Sequence, residues 1–357
     1  MVYVSKIYLP DKEKYKGYID KIYESGWVTN NGPLVQDLEK RLEEHLGVKN
    51  LLCVSNGTTA LQIAYKLLEL EGEVITTPFT FVSTTGSIAA EKLTPVFSDI
   101  DAESYNLDPK KIESAITEKT TAIVPCHVFG NACDIEEIDK VAKKNNLKVI
   151  YDASHAFDVK YKDESILSFG DVSAISFHGT KFFHTVEGAA IVVKDDDLYE
   201  KAKIIRNYGS DGPDSVGMVG INGKMNELEA AMGHCVLDEI DTILAQRQES
   251  HEYYAEHLKD YIQMQSVNKD ASQSYSYFSI VLRTEEEMKE VRAALIANDI
   301  SPRQYFKPSL DTVPYVEERQ IMDVSRDIAS RILVIPIHSG VEPTVTKIII
   351  ETLEKLR

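Results

Sequence analysis

Positive charge is scarce in this sequence of 357 residues. It has 39 lysine and arginine residues against 57 aspartate and glutamate residues, a formal net charge of −18 at pH 7. A groove that binds nucleic acid needs clustered lysine and arginine side chains for the phosphates, so this balance argues against nucleic acid as a partner. A small anionic ligand is compatible with the composition, but local donors have to bind it.

Long apolar segments are also absent. A membrane-spanning helix needs roughly 20 consecutive apolar residues, and no run in the sequence approaches that length. Residues 1–18 are rich in charge and contain Pro10, so they lack the apolar core of a signal peptide. We expect a cytoplasmic protein with no membrane partner.

Cysteine is the third scarce residue type, with four in the chain: Cys53, Cys126, Cys133 and Cys235. They lie far apart, mostly in apolar segments, and no further cysteine or histidine stands at the intervals of a metal site. We expect reduced structural thiols and no bound metal. The G-x-G-x-x-G signature opens none of the expected helices, which disfavours a Rossmann dehydrogenase.

From residue 50 onward, short β-rich segments alternate with segments of helical periodicity. Strand–helix–strand repetition of this kind predicts an α/β protein with a mostly parallel sheet covered on both faces. The expected strands lie in the segments 51–55, 73–79, 94–100, 120–130, 148–157, 171–178 and 188–194.

The C-terminal third has a different pattern. Residues 224–261 have the periodicity of one long helix that links two domains, and the residues beyond it indicate a small α+β domain. We predict a large domain at 1–235, made of an N-terminal arm and an α/β/α sandwich, and a small C-terminal domain at 236–357.

Four unusual loops follow the strands of the predicted sheet, at residues 55–59, 79–81, 152–155 and 176–181. Ligands of parallel sheets gather beyond the carboxyl ends of the strands, where loops lead into helix N-termini. We therefore expect these four loops to converge, although they are far apart in the sequence.

Each loop taken alone has an ordinary structural explanation. The segment 55–61 (SNGTTAL) fits an anion site at a helix N-terminus, but it also fits a simple N-cap. Asp152 at a strand end needs a positive partner or several donors, and a capping role satisfies it as well. Lys181 is either a partly desolvated amine nucleophile or a lysine that reaches solvent. His155 and the phenylalanines of 79–81 are ordinary core residues by themselves.

Together the four loops indicate one cofactor. A reactive lysine, a strand-end carboxylate, a phosphate cradle and a flat aromatic side chain are the parts that pyridoxal phosphate (PLP) requires. The lysine binds the aldehyde covalently, and the carboxylate keeps the pyridine nitrogen protonated. This combination explains why two apolar segments flank the loop SFHGTKFFH (176–184) with its lysine and two histidines.

The sequence resembles the DegT/DnrJ-type PLP-dependent sugar aminotransferases, which have the type I aspartate-aminotransferase fold. This resemblance implies a large domain with a mostly parallel seven-stranded sheet and a smaller C-terminal α+β domain. The matching motifs run through nearly the whole chain, and the sharpest is SFHGTK after YDASHA. The others include GWVTNNGPLVQDLEKRLEEHLGV, SNGTTAL, TTPFTFVSTT, PCHVFGNACDIEEI, EGAAIVV, RNYG, GINGKMNELEAAMG and VIPIHSG.

The resemblance implies the following catalytic roles. Lys181 would bind the cofactor covalently and later carry the proton between cofactor and substrate. Asp152 would pair with the pyridinium nitrogen, His155 would bond the phenolic oxygen, and Phe81 would stack on the ring.

The resemblance also implies a phosphate cradle and a partner subunit. The cradle would consist of Gly57, Thr58, Thr59 and Ser176. Asn222 or Lys224 would contact the phosphate of the cofactor in the neighbouring subunit. A site completed in this way makes a homodimer the smallest functional unit.

The substrates of the family are mostly nucleotide-linked keto-sugars, and L-glutamate is the usual amino donor. The loops WVTNNGPL, TPFTFVST and HVFGNACD look most like the subgroup that aminates the 4-keto group of dTDP-4-dehydro-6-deoxyglucose, for O-antigen or another surface glycan. The candidate substrate contacts are His184, Arg206, Tyr208, His338 and Arg303, with Lys307 as a further cation for the diphosphate or the glutamate carboxylate.

Three alternatives carry less weight. Amination at C3 is one. Sugar dehydration is the second, and relatives with that activity have histidine in place of the lysine. A non-catalytic regulator is the third. Lys181 and the complete catalytic set disfavour the last two.

Overall fold

The structure is a computed structural model, and it describes residues 1–316, 320–338 and 340–356. Its helices are α1 Lys12–Ser25, α2 Pro33–Leu46, α3 Gly57–Leu67, α4 Val82–Ala90, α5 Pro109–Ile112, α6 Ile135–Lys144, α7 Asp196–Arg206, α8 Glu227–Leu237, α9 Ile240–Leu258, α10 Glu285–Ala297, α11 Asp323–Arg331 and α12 Glu342–Leu356. Its strands are β1 Val2–Tyr3, β2 Leu51–Val54, β3 Glu73–Thr76, β4 Thr94–Phe97, β5 Thr120–Val124, β6 Lys148–Asp152, β7 Lys160–Tyr161, β8 Glu164–Ser165, β9 Val172–Ser176, β10 Ala189–Val193, β11 Ser210–Gly212, β12 Ser215–Val216, β13 Phe278–Val281, β14 Ile300–Ser301 and β15 Ile332–Ile335.

The largest sheet has seven strands in the order β2-β10-β9-β6-β5-β3-β4. The run from β9 to β4 pairs in parallel, whereas β10 is antiparallel to both of its neighbours. The prediction of a mostly parallel seven-stranded sheet is therefore confirmed. Because the parallel strands all point the same way, the loops that follow β3, β6 and β9 lie at one edge of the sheet.

Both faces of this sheet are covered by helices. Leu51 and Cys53 of β2 contribute to one hydrophobic core, and Leu52 and Val54 contribute to the other. This separation follows from the alternation of side chains along a strand. Helices α2, α6 and α8 supply apolar residues to the first core, while α3 and α7 supply them to the second.

The prediction of one continuous helix over 224–261 is wrong. Helix α8 begins after Asn226, which caps it in a reciprocal capping box with Glu229, and it ends at Leu237. Helix α9 begins only at Ile240. At the break, Asp238 forms ion pairs with side chains of α1 and α2, Lys14 and Arg41, and the Tyr8 hydroxyl donates to Glu239. Long-range contacts of this kind are invisible in a local periodicity.

The C-terminal elements form a separate core. Strands β13 and β15 pair antiparallel, and residues of α9, α10 and α12 pack on them. The N-terminal strand joins this part of the molecule, because Val2 and Tyr3 pair in parallel with Ile300 and Ser301. The predicted boundary at 235 lies within α8, and Val236 and Leu237 of that helix still belong to the core of the large sheet.

In the part of the chain that the structure describes, no helix is both long enough and apolar enough to cross a membrane. The same residues contain no cluster of three or more histidine, cysteine, aspartate or glutamate side chains arranged to hold a metal ion. All four cysteines are buried free thiols.

Candidate active site

A cavity of about 750 Å³ lies beyond the carboxyl ends of β2, β3, β6 and β9. All four loops identified in the sequence contribute to its lining, and residues of the C-terminal part close it from the other side. The lining includes Asn56, Gly57, Thr58, Thr59, Thr80, Phe81, Asp152, Ser154, His155, Ser176, Lys181, Tyr277, Arg303, Tyr305 and Phe306. The topology therefore brings the predicted cofactor residues of one chain to a single place.

Asp152 is buried at the end of β6, and its hydrogen-bond donors are all neutral. Its Oδ2 accepts from the Thr84 hydroxyl at 2.7 Å, and its Oδ1 accepts from the Ser154 backbone N–H at 3.1 Å. The Thr84 hydroxyl is itself 3.1 Å from the Thr80 hydroxyl. Among the described residues these neutral donors are its side-chain partners, and no cationic side chain forms an ion pair with Asp152. A buried carboxylate without a cation is costly, so this site fits a ligand with a protonated ring nitrogen.

Lys181 is the amine of the cavity. Its backbone N–H donates to the His178 carbonyl at 2.8 Å, which tightens the turn after β9, and its Nζ donates to the Tyr277 hydroxyl at 3.3 Å. Among the described residues no carboxylate pairs with it. Phe182 and Phe183 are buried behind it, where Phe183 stacks on the ring of Phe157 at 4.5 Å. The two phenylalanines therefore anchor the loop and leave the amine facing the cavity.

His155 presents a neutral imidazole. Its Nδ1 accepts the Phe129 backbone N–H at 3.2 Å, so the neutral ring carries its proton on Nε2. Its ring is nearly parallel to that of Phe306, with centroids 5.9 Å apart. Burial, and next the charge of Lys181, hold the pKa of His155 well below its ordinary value of 6.5. His155 is thus a hydrogen-bond donor at neutral pH, which suits a phenolic oxygen.

The first turn of α3 forms the floor of the cavity. The Asn56 side chain caps the helix by accepting the Thr59 backbone N–H at 2.9 Å. Helix geometry leaves the N–H groups of Gly57 and Thr58 without intrahelical acceptors. A Cβ atom on Gly57 would lie 3.5 Å from the Ser176 Cβ, so this turn lies directly against the end of β9. The N-cap is present, and the free N–H groups of this turn fit a phosphate.

Only one of the two phenylalanines of loop 79–81 is available to a ligand. Phe79 is buried and packs edge-on against Phe129 and Phe306. Phe81 is 56% exposed, lines the cavity and immediately precedes α4. Together with Asp152, Lys181 and the α3 N-terminus, it completes a set of groups that fits PLP.

Asn222, Lys224 and Tyr208 lie together outside the lining of this cavity. The Lys224 Nζ donates to the Asn222 Oδ1 at 2.7 Å and lies 4.0 Å from the centroid of the Tyr208 ring. Their segment runs beside β2, where the Ser55 N–H donates to the Gly223 carbonyl at 2.8 Å. Burial, and next the charge of Arg206, lower the pKa of Lys224. The segment of the cluster therefore adjoins loop 55–59, although the cluster does not line the cavity.

The structure separates the predicted substrate contacts. Arg303 lines the cavity, with its guanidinium carbon 5.9 Å from the centroid of the Tyr305 ring. His338 lines a second cavity of about 420 Å³, described below. Lys307 forms an exposed ion pair with Glu285 at 3.5 Å.

Arg206 and His184 are interior residues instead of lining residues. The Arg206 guanidinium donates to Glu39 and to the Cys53 carbonyl, both at 2.8 Å. The His184 Nε2 lies 2.7 Å from the Tyr8 carbonyl oxygen. Both side chains are occupied by these structural contacts, so neither is available to a substrate in the cavity of its own chain.

Sequence reasoning missed Tyr277 and the pair Thr80 and Thr84. The two threonines stand four residues apart, a spacing that places them on one side of a helical turn, and this was a usable signal. Tyr277 immediately precedes β13 in a segment that alternates serine and tyrosine (274–277), where nothing local distinguishes it from Tyr275. Its contact with Lys181 joins residues 96 positions apart.

A model of the DegT/DnrJ/EryC1/StrS aminotransferase family matches residues 10–354. The dTDP-4-amino-4,6-dideoxy-D-glucose transaminase of Shigella dysenteriae is 39% identical over 363 residues, which cover 100% of this chain and 99% of that protein. The dTDP-3-amino-3,6-dideoxy-alpha-D-galactopyranose transaminase of Aneurinibacillus thermoaerophilus is 32% identical, over 89% of this chain and 88% of its own length. The crystal structure of DesI in the presence of its TDP-sugar product matches with a TM-score of 0.91 at 30% identity, over 99% of this chain and 92% of DesI. The predicted aminotransferase fold is thus confirmed, and the chain belongs to the DegT/DnrJ/EryC1/StrS aminotransferase family.

Proposed function

We propose that this protein is a PLP-dependent nucleotide-sugar aminotransferase. Its reaction transfers the amino group of L-glutamate to the 4-keto group of dTDP-4-dehydro-6-deoxyglucose and yields dTDP-4-amino-4,6-dideoxyglucose for a surface glycan such as O-antigen. The observation that carries the proposal is the cavity in which the cation-free carboxylate of Asp152 and the carboxylate-free amine of Lys181 lie beside the N-terminus of α3. The name of the 39% identical relative supports the choice of sugar.

Each active-site residue would have a separate role in the reaction. Bound PLP supplies an electron sink for the substrate carbon that loses its proton. Asp152 holds the proton on the pyridine nitrogen, and Lys181 moves the proton of the substrate carbon. His155 donates through Nε2 to the phenolic oxygen. Phe81 covers the ring and excludes water. The first turn of α3 and the hydroxyl groups of Thr58, Thr59 and Ser176 would hold the cofactor phosphate.

Donor and acceptor would use the active site in turn. Glutamate binds first, leaves its amino group and departs as 2-oxoglutarate, and the keto-sugar then enters to receive the amino group. Lys181 would serve both half-reactions, because it would take a proton from the glutamate α-carbon in the first and deliver one to the sugar carbon in the second. Arg303, at the wall of the cavity, is the cation that we assign to the diphosphate of the nucleotide.

The proposal includes a homodimer in which each subunit completes the site of the other. The cluster of Tyr208, Asn222 and Lys224 supports this arrangement, since it adjoins loop 55–59 but lies outside the cavity of its own chain. In the dimer, Asn222 or Lys224 would bind the phosphate in the partner's site.

Amination at C3 is the second candidate, and the 32% identical relative named as a 3-amino-sugar transaminase favours it. The two candidates share every cofactor residue. They differ only in the sugar carbon presented to the amine, so the position of the amine in the product distinguishes them.

The visible spectrum of the purified, PLP-loaded protein tests the proposal. We expect an absorption band that L-glutamate bleaches and that dTDP-4-dehydro-6-deoxyglucose restores, and NMR of the product locates the amine. Lys181→Ala is the control and should lack the lysine-dependent band. If the band is bleached by L-glutamate but not restored by the keto-sugar, this sugar is not the substrate. If the protein does not retain PLP, the aminotransferase proposal is refuted.

A further inference from the structure

A second cavity, of about 420 Å³, adjoins the active-site cavity. Thr180, Lys181 and Tyr277 line both, so the two meet at the catalytic amine. The phosphate cradle and Asp152 line only the first cavity. The second is closed by the N-terminal segment 4–9 and by residues of α9.

The charge of the second cavity is opposite to that of the molecule. Its basic lining residues are Lys6, Lys181, Arg247 and His338, and no aspartate or glutamate of the described chain lines it. The chain as a whole carries a formal net charge of −18. A basic cavity is therefore a local feature of this site, and it favours an anionic ligand.

Arg247 lacks the carboxylate that normally accompanies an arginine in such a place. Its Nε donates to the Tyr275 carbonyl at 2.7 Å, its Nη2 donates to the Ser276 carbonyl at 2.6 Å, and its guanidinium carbon lies 5.5 Å from the centroid of the Phe182 ring. Within the described residues its Nη1 has no hydrogen-bond partner, and no ion pair neutralises the group. Arg247 is half-buried, and a partly desolvated guanidinium without a counter-ion favours an anion that arrives from outside.

His338 lines the same cavity but is not a free donor. Burial, and next the charge of Lys6, lower the pKa of His338, whereas a hydrogen bond to the Tyr3 backbone raises it. A neutral imidazole has one N–H, and the Tyr3 backbone takes it, so the buried Nε2 carries a lone pair and no proton. The groups of this wall that can bind an anion are therefore Lys6 and Arg247.

We propose that this second cavity binds a carboxylate of the amino donor, with the Arg247 Nη1 as its anchor and Lys6 as a further donor. This inference rests on the proposed function. An amino-acid donor must bring its nitrogen to the position of Lys181 while its carboxylates lie a few bonds away. The shared wall at Lys181 allows this, and the volume leaves room for a five-carbon dicarboxylate. The nucleotide-sugar then keeps the first cavity for itself.

Glutarate tests the inference because it has both carboxylates of glutamate but no amine, so it binds without reacting. Isothermal titration calorimetry on the PLP-loaded dimer should show that Arg247→Gln weakens glutarate about 10- to 100-fold, as expected for loss of a charge-assisted hydrogen bond. Arg247→Lys should recover part of the affinity. Arg292→Gln, on the exposed face of α10, is the matched control and should bind like the parent protein.

Because Arg247 also holds two backbone carbonyls, its variants require a folding check by thermal unfolding. If Arg247→Gln does not fold, Lys6→Gln replaces it, since this exposed side chain has no structural hydrogen bond to lose, and several-fold weaker binding is expected. Unchanged glutarate affinity in the folded variants would overturn the inference. Bleaching by L-glutamate in the parent protein separates the two proposals. If L-glutamate does not bleach the parent protein, the transaminase proposal is refuted. If the Arg247 and Lys6 variants bleach at the same L-glutamate concentration as the parent protein, only the carboxylate site in the second cavity is refuted.

Discussion

Asp152 and its hydroxyl neighbours illustrate what single residues contribute to the site. Thr84→Val removes the hydroxyl that donates to Asp152 at 2.7 Å while keeping the shape of the side chain. We expect about 10-fold weaker PLP binding, because the carboxylate loses a fixed hydrogen bond that orients it. Thr84→Ser retains the donor and is the control. Equal PLP affinity of the valine and serine variants, measured by titration of the visible band, would contradict this role.

The low pKa of His155 predicts a pH dependence of stability. Below pH 6.5 the unfolded chain protonates this histidine and the native chain does not, so the free energy of unfolding falls as the pH falls. His155→Gln should remove this linkage and reduce the slope by about 0.7 kcal/mol per pH unit at pH 6.5, where half of the unfolded chains carry the proton, and by about 1.4 kcal/mol per pH unit near pH 5. Urea unfolding of the PLP-free protein measures it. Val219→Ala, at an exposed position without a titratable group, should keep the parent slope.

At the level of elements, the start of α3 combines a structural cap with the proposed phosphate cradle. Asn56→Ala removes the acceptor of the Thr59 N–H and should lower the free energy of unfolding by about 1 kcal/mol, whereas Asn56→Ser should cost much less. The cap orients the same turn that would bind phosphate, so PLP should also bind more weakly to the alanine variant. Urea unfolding and PLP titration of the three proteins check both effects. A stability loss with unchanged PLP affinity would separate the cap from the cradle.

Local sequence patterns predicted the strands and helices well where hydrophobic periodicity alone determines them. The alternation of apolar strands with helices gave the seven strands of the large sheet, because strand periodicity and burial are local properties. It failed at residues 238–239, where Asp238 and Glu239 bind partners from the first 41 residues and the helix is interrupted. Local pattern also gave no prediction of the strand Val2–Tyr3, since its pairing with β14 is a contact across almost 300 residues.

In the active site too, features set by nearby residues could be predicted, whereas features set by contacts between distant residues could not. The loops after β2, β3, β6 and β9 could be placed in one cavity because a parallel sheet aligns the ends of its strands. Arg206 and His184 could not be distinguished from ligand-binding residues, since their partners Glu39 and Tyr8 lie more than 160 positions away. The resemblance to a known family supplied residue roles that neither periodicity nor spacing contains.

At the scale of the whole molecule, the decisive question is whether Lys224 acts in its own chain or in its partner. Mixing Lys181→Ala with Lys224→Ala protein under conditions of subunit exchange answers it. If Lys224 acts across the interface, each hybrid dimer contains one intact site and one doubly altered site. Half of the dimers are hybrids at random, so about one quarter of the parent activity should appear.

The control for subunit exchange is a mixture of Lys181→Ala and Asp152→Asn protein. Both residues line the cavity of one chain, so every site in a hybrid dimer carries one of the two defects and no activity should return. If the Lys224 mixture likewise stays inactive while native mass spectrometry detects hybrid dimers, Lys224 serves its own chain. A site shared between subunits requires that activity returns in this mixture, whereas a site formed by one chain does not allow it. Without that return, the contacts of Lys224 with Asn222 and Tyr208 would be structural.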